Sequence, residues 1–356
     1  MNKSLFAKKI ITWYEENKRS LPWRETKDPY KIWLSEVILQ QTRVAQGLSY
    51  YHRFVDQYPT VQSLADAKEQ DVLRLWQGLG YYTRARNLHK GAKKIVDEYK
   101  RVFPSTFIDL QKIPGIGSYT AAAISSISFR EKVAVVDGNV FRVLARIFGV
   151  TEDILSNQGR VVFSKLANEL IPAENPDIFN QAMMEFGALQ CTPKNPACEV
   201  CIFKKQCFAY AHDLQMVLPV KKQKQKIRKR YFHYAVIMQG KKILMHQRET
   251  KDIWQGLFDF YLIETAIPSE TDKLIRKDHL LKKLSRISFS KVSPVYKHVL
   301  SHQHLFASFI KLEANDNADI TPLLDAGYKF YSMSSVAKLP KAVLISRFLE
   351  DDGYLK

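Results

Sequence analysis

The feature that most constrains this chain is a set of four cysteines confined to one short segment. All four cysteines of the 356-residue sequence lie between positions 191 and 207, at Cys191, Cys198, Cys201 and Cys207. A disulfide framework would spread cysteines along a chain of this length, and a reducing cytoplasm would not support one. Four thiolates in one loop instead suit a tetrahedral zinc ion or a cubane 4Fe–4S cluster. Zinc sites usually have two close pairs, and only one pair is close here, so the spacing favours iron–sulfur modestly and leaves zinc open.

Length and charge restrict the class of protein further. A chain of 356 residues is long enough for about two or three domains. Lys and Arg number 54 against 36 Asp and Glu, and the net charge of +18 favours an anionic partner such as nucleic acid or a membrane surface. The long charge-free stretch 113–129 is broken by Pro, Gly and hydroxyl side chains, so we expect no membrane span. The charged N-terminus has no apolar signal core, and we expect a cytoplasmic protein.

Hydrophobic periodicity predicts a mostly helical first part of the chain. Ser4 is expected to cap the first helix, and Asp28 followed by Pro29 is expected to begin a helix that runs through Gln41. The segment 221–230 holds seven basic residues and no acid. Such a run is typical of a solvated linker, with phosphate binding as the sharper alternative.

A different pattern follows the basic run. Two predicted strands, 232–238 and 242–248, flank a turn at Gly240, and residues 257–263 and 305–311 also have an extended pattern. The segment 341–350 is expected to be helical. The second part of the chain is therefore predicted to be an α+β domain.

Two carboxylates have surroundings that point to chemistry. Glu36 lies in a stretch that is apolar on nearly every helical face, so we expect it to be buried and to hold its proton to higher pH, unless it pairs with a cation such as Arg43. Asp137 precedes a helix expected to begin at Val140, where an anion is stabilised, so we expect it to stay ionised near neutral pH. For this motif alone, an ordinary helix cap is the favoured interpretation. We expect these environments to move the two pKa values apart, a division of roles that suits cleavage of a glycosidic bond.

A glycine-containing turn lies between two helical stretches at residues 113–120. Gly115 and Gly117 permit a tight turn, and the next helix begins with free N–H groups that can bind a phosphate. A ligand-free turn between helices is an equally good interpretation of this motif alone.

Several motifs occur together in an order that resembles one family. The chain resembles the MutY-type adenine DNA glycosylases along almost its full length, through the segments Leu21–Arg24, Trp33–Thr42, Gln77–Tyr82 with Arg84–Arg86, Ile113–Tyr119, Val136–Val140 and the four-cysteine loop. The resemblance implies a mainly α helix–hairpin–helix DNA glycosylase domain at 1–212, with a loop at 191–207 that holds a 4Fe–4S cluster. A basic linker at 213–230 and an α+β Nudix-like lesion-recognition domain at 231–356 complete the implied organisation.

The resemblance assigns roles to the central residues. Glu36 would protonate the adenine ring, Asp137 would stabilise the sugar cation, and Tyr119 and Asn139 would organise this pair. Related glycosylases that also cut the strand carry a lysine at the hairpin position of Tyr119. Tyrosine cannot form a Schiff base, so we expect base removal without efficient strand cleavage.

The resemblance also implies a set of DNA-contacting residues. The target adenine must leave the helical stack to reach Glu36. Gln41 and Tyr81 match positions that wedge into the duplex, and the lining of the base pocket is matched by Trp23, Arg24, Leu39 and Gln181. Further DNA-binding positions are Thr42, Gly115, Gly117 and Ser118.

The C-terminal domain resembles the module that recognises 8-oxoguanine opposite the adenine. Ser301 and His302 match the lesion-reading tip, whereas Leu300 and Tyr261 depart from the family pattern. No glycine occurs between Gly256 and Gly327, so the glycine-anchored catalytic segment of Nudix hydrolases is missing from the sequence. His298, His302 and His304 are expected to share one strand face, as a polar DNA-facing surface rather than a metal site.

The expected partner is double-stranded DNA that contains adenine opposite 8-oxoguanine or guanine. We expect one chain to act on each lesion, in the cytoplasm or at the nucleoid of a bacterium, with no membrane partner. Two other functions are weighed against this one: a related endonuclease III-type glycosylase that cuts the strand, and a non-catalytic iron–sulfur protein that binds DNA. Tyr119 and the C-terminal domain disfavour the first, and the pairing of Glu36 with Asp137 disfavours the second.

Overall fold

The computed structural model describes residues 2–222 and 227–355. Contacts divide the chain into two compact units, the first formed by Met1–Asp66 and Asn87–Lys224 and the second by Ala67–Arg86 and Gln225–Lys356. The segment 67–86, expected within the helical domain, therefore groups with the C-terminal part. The domain boundaries inferred from the resemblance stay a prediction, and residues 223–226 of the basic run lie outside the described residues.

The part of the chain before residue 212 is helical, as the periodicity predicts. Short 3₁₀ turns lie at Pro22–Arg24 and Lys204–Gln206. The helices are α1 Lys3–Asn17, α2 Pro29–Leu39, α3 Val44–Gln57, α4 Val61–Asp66, α5 Glu69–Leu75, α6 Thr83–Glu98, α7 Phe107–Leu110, α8 Ser118–Phe129, α9 Gly138–Phe148, α10 Asn157–Leu170, α11 Pro176–Leu189 and α12 Phe208–Ala211.

Two expected helix boundaries need correction. The cap of α1 is Asn2, whose side chain accepts from the backbone N–H of Ser4, so Ser4 lies inside the helix rather than before it. Asp28 does cap α2 by accepting from the N–H of Tyr30, but α2 ends at Leu39 and not at Gln41. Gln41 adopts a φ of 55°, in the left-handed region, which a right-handed helix cannot include.

The core of the first unit is built around α11, which packs against α1, α8 and α9. Buried side chains of α1, among them Phe6, Ile10 and Trp13, belong to the same core cluster as Phe186 of α11, and Trp13 meets Phe186 edge-on. Phe203, from the cysteine loop, stacks on Phe6 at a ring-centroid distance of 4.9 Å and meets Phe186 edge-on at 5.5 Å. The loop that carries the cysteines is therefore anchored in the apolar core.

The C-terminal part of the second unit is an α+β arrangement, as expected. Its strands are β1 Arg228–Gln239, β2 Lys242–Gln247, β3 Phe258–Asp259, β4 Tyr261–Thr265, β5 Ser285–Val292, β6 Tyr296–Val299, β7 Gln303–Asp319 and β8 Lys329–Ser332. The helices are α13 Thr271–Lys277, α14 Thr321–Asp325, α15 Met333–Lys338 and α16 Val343–Asp351, with a 3₁₀ turn at Leu281–Lys283. The predicted β1–β2 hairpin and the helix near 341–350 are confirmed.

Strand β1 is the centre of the sheet. It pairs in parallel with β7, from Arg228 opposite Gln303 to Met238 opposite Glu313, and antiparallel with β2 and β4. The β1–β2 turn uses Gly240 at a φ of 54°, which glycine adopts without strain. Strand β6 returns antiparallel along β7, so the two form a hairpin around residues 300–302. Along the described residues, no helix combines the length and apolar character that a membrane crossing requires.

Candidate active site

A cavity of about 800 Å³ opens within the first unit, where α2, α8, α9 and α11 meet. This volume lies in the range of roughly 300–1,000 Å³ that is typical of small-molecule sites. Ten of the residues predicted for catalysis or DNA binding line this one cavity: Trp23, Arg24, Glu36, Leu39, Gln41, Thr42, Tyr119, Asp137, Asn139 and Gln181. The structure therefore brings together residues from five separate stretches of sequence.

Glu36 is buried, as its apolar surroundings predict, with 8% of its surface exposed. The side chain that bonds to it is Tyr119 and not Arg43: the Tyr119 hydroxyl donates to Glu36 Oε2 at 2.6 Å. Burial raises the pKa of Glu36 to about 7, while the hydrogen bond from Tyr119 opposes the rise. A carboxyl group with this pKa exchanges a proton readily near neutral pH, which general acid catalysis requires.

Asp137 occupies the N-cap of α9, where its carboxylate accepts from the backbone N–H of Val140 at 2.8 Å and from Asn139 Nδ2 at 2.9 Å. The expectation that the surroundings of Glu36 and Asp137 drive their pKa values in opposite directions is wrong. Burial raises the pKa of Asp137, and the bonds from Val140 and Asn139 only oppose that rise. The pKa values of Glu36 and Asp137 thus both move upward, because the pocket that surrounds Glu36 also withdraws Asp137 from water.

Asn139 is held by an arginine that links it to the neighbouring helix. Arg142 Nη2 donates to Asn139 Oδ1 at 2.8 Å and to the carbonyl of Gly187 at 2.7 Å. A Cβ placed on Gly187 would lie 2.6 Å from Asn139 Cβ, so glycine is what allows α11 to approach α9 this closely. Arg142 Nε also donates to the carbonyl of Cys191 at 2.7 Å, which joins the Asp137 turn to the cysteine loop.

The wall of the cavity formed by α11 contains a charged cluster that sequence reasoning missed. Glu185 is buried, yet it accepts bidentate hydrogen bonds from Arg19 and Arg24, with Nη2–Oε2 distances of 2.6 and 2.7 Å. Burial raises the pKa of Glu185, but the bonds from the two guanidinium groups outweigh it and lower the pKa to about 2. Glu185 is the only acid of α11 after its first turn, a signal that it needs a cation from another element.

The other predicted DNA-binding residues lie outside the cavity lining. Gly115 and Gly117 are exposed on the turn before α8, where Gly115 has a φ of 81° and Gly117 is the N-cap, and Ser118 is exposed at the first position of α8. A Cβ on Gly115 would lie 2.7 Å from Asn87 Cβ, so this turn requires glycine for two reasons. Tyr81 belongs to the second unit and is 44% exposed.

The four cysteines share one neighbourhood in the first unit. The pKa of the Cys198 thiol is raised by burial and, after that, by the charges of Cys191 and Cys207. Two contacts act in the opposite direction and favour the thiolate form of other cysteines in the loop. Arg146 Nη1 lies 3.5 Å from Cys191 Sγ, and the N–H of Phe203 donates to Cys201 Sγ at 3.4 Å. Within the described ranges, no three His, Cys, Asp or Glu side chains converge closely enough to hold a single metal ion.

The tip formed by residues 300–302 is a turn between β6 and β7. The N–H of Leu300 donates to the carbonyl of Gln303 at 2.8 Å, and Ser301 Oγ lies 3.2 Å from His302 Nδ1. Both Ser301 and His302 are exposed. The expectation that His298, His302 and His304 share one strand face is wrong, because the turn puts His298 on β6 and His304 on β7, with His302 between the strands.

Comparisons with known proteins agree with this geometry. Residues 34–169 match the family described as HhH-GPD superfamily base excision DNA repair protein, and residues 233–351 match the NUDIX domain family. The adenine DNA glycosylase of Buchnera aphidicola subsp. Schizaphis graminum is 35% identical over 306 residues, which is 86% of this chain and 85% of that protein. The human adenine DNA glycosylase is 43% identical over 213 residues, 57% of this chain and 39% of the human protein.

Solved structures share the helical fold. A thermostable thymine-DNA glycosylase is similar with a TM-score of 0.55 and 29% identity, over 59% of this chain and 97% of that one. An endonuclease III–DNA covalent intermediate is similar with a TM-score of 0.52 at 21% identity, over 60% of this chain and 99% of that one, which shows a shared fold. With a curated relative along 86% of its length and both domain families matched, the chain belongs to the adenine DNA glycosylases, N-glycosyl hydrolases of base excision DNA repair.

Proposed function

We propose that this glycosylase removes adenine opposite 8-oxoguanine or guanine in double-stranded DNA, with Glu36 as general acid and Asp137 as the stabiliser of the sugar cation. The observation that carries the proposal is the 2.6 Å hydrogen bond from Tyr119 to Glu36 in a cavity that Asp137 also lines. An acid and a second carboxylate in one pocket are the groups that cleavage of a glycosidic bond requires.

The cavity would receive an adenine that has left the helical stack. Extrusion brings the base to groups that it cannot reach inside a duplex. Trp23 and Leu39 offer apolar surface to a flat base, while Arg24 and Gln181 offer polar groups to its edge. Gln181 is oriented by the Tyr14 hydroxyl, which donates to its Oε1 at 3.0 Å.

Glu36 would supply the proton. Protonation of a ring nitrogen converts adenine into a better leaving group, and a pKa of about 7 leaves a substantial protonated fraction at neutral pH. The hydroxyl of Tyr119 fixes the carboxyl group at one oxygen and leaves the other for the base. Tyr119 therefore orients the acid.

Asp137 would stabilise the positive charge that develops on the sugar as the base departs. Its partners in the protein are N–H groups of Val140 and Asn139, and N–H donors favour the ionised form of a carboxylate. Asn139 is in turn held by Arg142, so the carboxylate keeps its direction without neutralisation by a direct ion pair. The carboxylate could also bond transiently to the sugar, as in retaining glycosidases.

The chemistry at position 119 separates this proposal from a glycosylase that also cuts the strand. A lyase step needs an amine to form a Schiff base with the opened sugar. Tyr119 has no amine and is hydrogen-bonded to Glu36. Base removal alone is therefore the proposed outcome, and a purely DNA-binding role would leave Glu36 and Asp137 without a purpose.

DNA binding would use the exposed turn before α8 and the net charge of +18. The N–H groups at the start of α8 can donate to a phosphate because Gly117 supplies no side-chain cap. Gln41 and Thr42, on the rim of the cavity after α2, would contact the strand beside the extruded base. One chain would act on each lesion.

The cysteine loop would hold the 4Fe–4S cluster through Cys191, Cys198, Cys201 and Cys207. Four neighbouring soft thiols with N–H donors directed at sulfur are a donor set that suits such a cluster. When bound, the cluster would keep the loop in shape. Arg142 and Arg146 bond to backbone carbonyls of that loop, so loop order supports the Asp137 turn.

The tip at Ser301 and His302 would recognise 8-oxoguanine. The lesion differs from guanine mainly by a carbonyl and a ring N–H, which a hydroxyl and a backbone amide can contact. Ser301 is exposed at a turn, and His302 Nδ1 lies close enough to orient its hydroxyl. Tyr81 would wedge into the duplex from the second unit.

One assay separates the proposal from its alternatives. Three duplexes, with adenine opposite 8-oxoguanine, guanine or thymine, are incubated with excess enzyme and analysed with and without alkali. We expect fast release opposite 8-oxoguanine, slower release opposite guanine, little opposite thymine, and strand breaks only after alkali. Breaks without alkali would indicate a lyase, and tight binding without any release would indicate a non-catalytic protein.

A further inference from the structure

Tyr81 lies at a turn that is set in an uncommon conformation. Its φ is 48°, in the left-handed region, and the turn also contains Gly78 at 102° and Gly80 at 73°. A left-handed tyrosine is uncommon because its side chain crowds the backbone, so its neighbours must hold it there. The ring is nevertheless 44% exposed. The turn thus presents a large aromatic side chain to solvent.

Part of the support for this turn is local. Trp76 Nε1 donates to the carbonyl of Gly80 at 2.9 Å, and Arg84 Nη2 donates to the same carbonyl at 3.2 Å. The Arg84 guanidinium lies over the Trp76 ring at 5.0 Å and over the Tyr81 ring at 5.7 Å. These bonds fix the turn to Trp76, after α5, and to Arg84, in the first turn of α6, and all of these residues lie in the second unit.

The remaining support comes from a part of the chain that is more than 250 residues away. Gln77, just before the turn, donates from Nε2 to Ser346 Oγ at 3.1 Å and accepts from the backbone N–H of Lys341 at 3.1 Å. Tyr82, just after the turn, donates from its hydroxyl to the carbonyl of Lys341 at 3.2 Å. Gln77 and Tyr82 therefore attach both ends of the Tyr81 turn to residues 341–346.

The segment that receives these bonds is itself fixed in the second unit. Lys341 is 2% exposed, and its Nζ donates to the carbonyl of Leu339 at 2.7 Å. Lys341 forms a parallel bridge with Phe258 of β3, and the N–H of Phe258 donates to the carbonyl of Pro340 at 2.8 Å. A second attachment lies nearby, since Arg86 donates to the carbonyl of Gln255.

We propose that Gln77 and Tyr82 are positioning residues through which the C-terminal part of the chain sets the Tyr81 turn for adenine extrusion. The inference rests on the proposed function, in which Tyr81 wedges into the duplex. It adds that the C-terminal part has a role besides lesion reading: it pre-organises the wedge, so that extrusion does not have to order the turn. Both positioning residues lie outside the lining of the cavity that holds Glu36 and Asp137.

The test uses Tyr82→Phe and Gln77→Ala in the full chain, with Tyr261→Phe as the matched control. Tyr261 is also a buried tyrosine of the second unit, and its hydroxyl contacts Asp278 rather than the 67–86 segment. Extrusion is followed by the fluorescence of 2-aminopurine placed opposite 8-oxoguanine, and excision by single-turnover rates with adenine in that position.

We expect the double variant Gln77→Ala with Tyr82→Phe to reduce extrusion and excision about tenfold or more, because it removes three hydrogen bonds of ordinary strength. The control should leave both unchanged. If the two residues act through Tyr81, the same changes should have no further effect in a Tyr81→Ala background, where the wedge is already lost.

Two results would overturn the inference: wild-type extrusion in the double variant, or a slowing that multiplies with that of Tyr81→Ala. The thermal unfolding midpoints of Tyr82→Phe and Tyr261→Phe are compared to detect a general loss of stability. Such a loss would lower both midpoints and slow excision by both variants, and would also count against the inference. Failure of the proposed function is a separate result. It would show as no adenine release by the wild type, while the fluorescence still reports whether Gln77 and Tyr82 control the turn.

Discussion

The cavity around Glu36 and the tip at Ser301 differ in how they prepare their polar groups. In the cavity, burial raises the pKa of Glu36 to about 7, and the hydroxyl of Tyr119 holds the carboxyl in place. At the tip, Ser301 and His302 are exposed and rest on a two-strand turn closed by a backbone hydrogen bond. The first region changes the chemistry of its side chains, whereas the second only displays them.

This difference follows from the two tasks. Proton transfer to adenine needs a carboxyl group that stays protonated at neutral pH, and removal from water is the largest cause of that shift at Glu36. Recognition of a base edge needs donors and acceptors that can reach into DNA, which an exposed turn permits. Substitutions in the cavity should therefore change rates strongly, and substitutions at the tip should change preference modestly.

The largest effect is expected for Glu36→Gln. Glutamine keeps the shape and can still accept from Tyr119, but it has no proton to transfer, so single-turnover excision should fall by about 10²–10⁴-fold. Binding to the lesion duplex should persist because phosphate contacts dominate affinity. Glu169→Gln is the matched control, since Glu169 is half exposed and pairs with Lys3 on the surface. Excision by Glu36→Gln at a rate near that of the control would rule out this acid.

The next largest effect concerns the cysteine loop. Cys198→Ser should lose the visible absorbance of the iron–sulfur cluster and weaken DNA binding, because a loop short of one ligand cannot keep its shape. Metal analysis and absorbance of the purified wild type check the assignment directly. Stoichiometric zinc without iron would contradict it.

A smaller effect is expected at the tip. Ser301→Ala combined with His302→Ala should slow excision opposite 8-oxoguanine more than opposite guanine, since each good polar contact to a base contributes roughly 1–3 kcal/mol of discrimination. The quantity to compare is the ratio of the two single-turnover rates at low enzyme concentration. Ser288→Ala, an exposed serine of β5, is the control. An unchanged ratio in the double variant would mean that the tip does not recognise the lesion.

The smallest effect is a change in pH dependence. The hydrogen bond from Tyr119 lowers the pKa of Glu36 against the rise that burial causes, so Tyr119→Phe should raise that pKa further. The acid then stays protonated to higher pH, and the falling limb of the excision profile should move to higher pH. A shift to lower pH would show that Tyr119 stabilises the protonated rather than the ionised carboxyl.

Local pattern predicts much of the cavity, and the misses have physical reasons. The burial of Glu36 follows from apolar neighbours on every face of α2, and the cap at Asp137 follows from its place before α9. The direction of the shift in the Asp137 pKa does not follow from the local pattern, because it depends on how much water the folded pocket excludes. The cluster of Glu185 with Arg19 and Arg24 joins residues 166 and 161 positions apart, which no local motif connects.

In the second unit, too, local sequence pattern predicts the strands but not the long-range contacts. Its strands follow from alternation and turn residues, but alternation alone places the three histidines near the tip on one strand face, because it does not reveal the turn at 300–302. The contacts of Gln77 with Lys341 and Ser346 are equally invisible in sequence. A truncation near Tyr210 would therefore remove both the tip and the partners of the 67–86 segment, so point variants test lesion reading more cleanly.

The central claim is that Glu36 delivers a proton from within the buried cavity. The most direct measurement is the single-turnover excision rate against pH, from about 5 to 9, for wild type and Glu36→Gln on adenine opposite 8-oxoguanine. Because burial raises the pKa of Glu36 to about 7, the wild-type rate should be high below that pH and fall about tenfold per unit above it. The variant should be slow throughout, without that limb. A wild-type rate that is level through pH 7 to 9, or a falling limb shared by the variant, would contradict the claim.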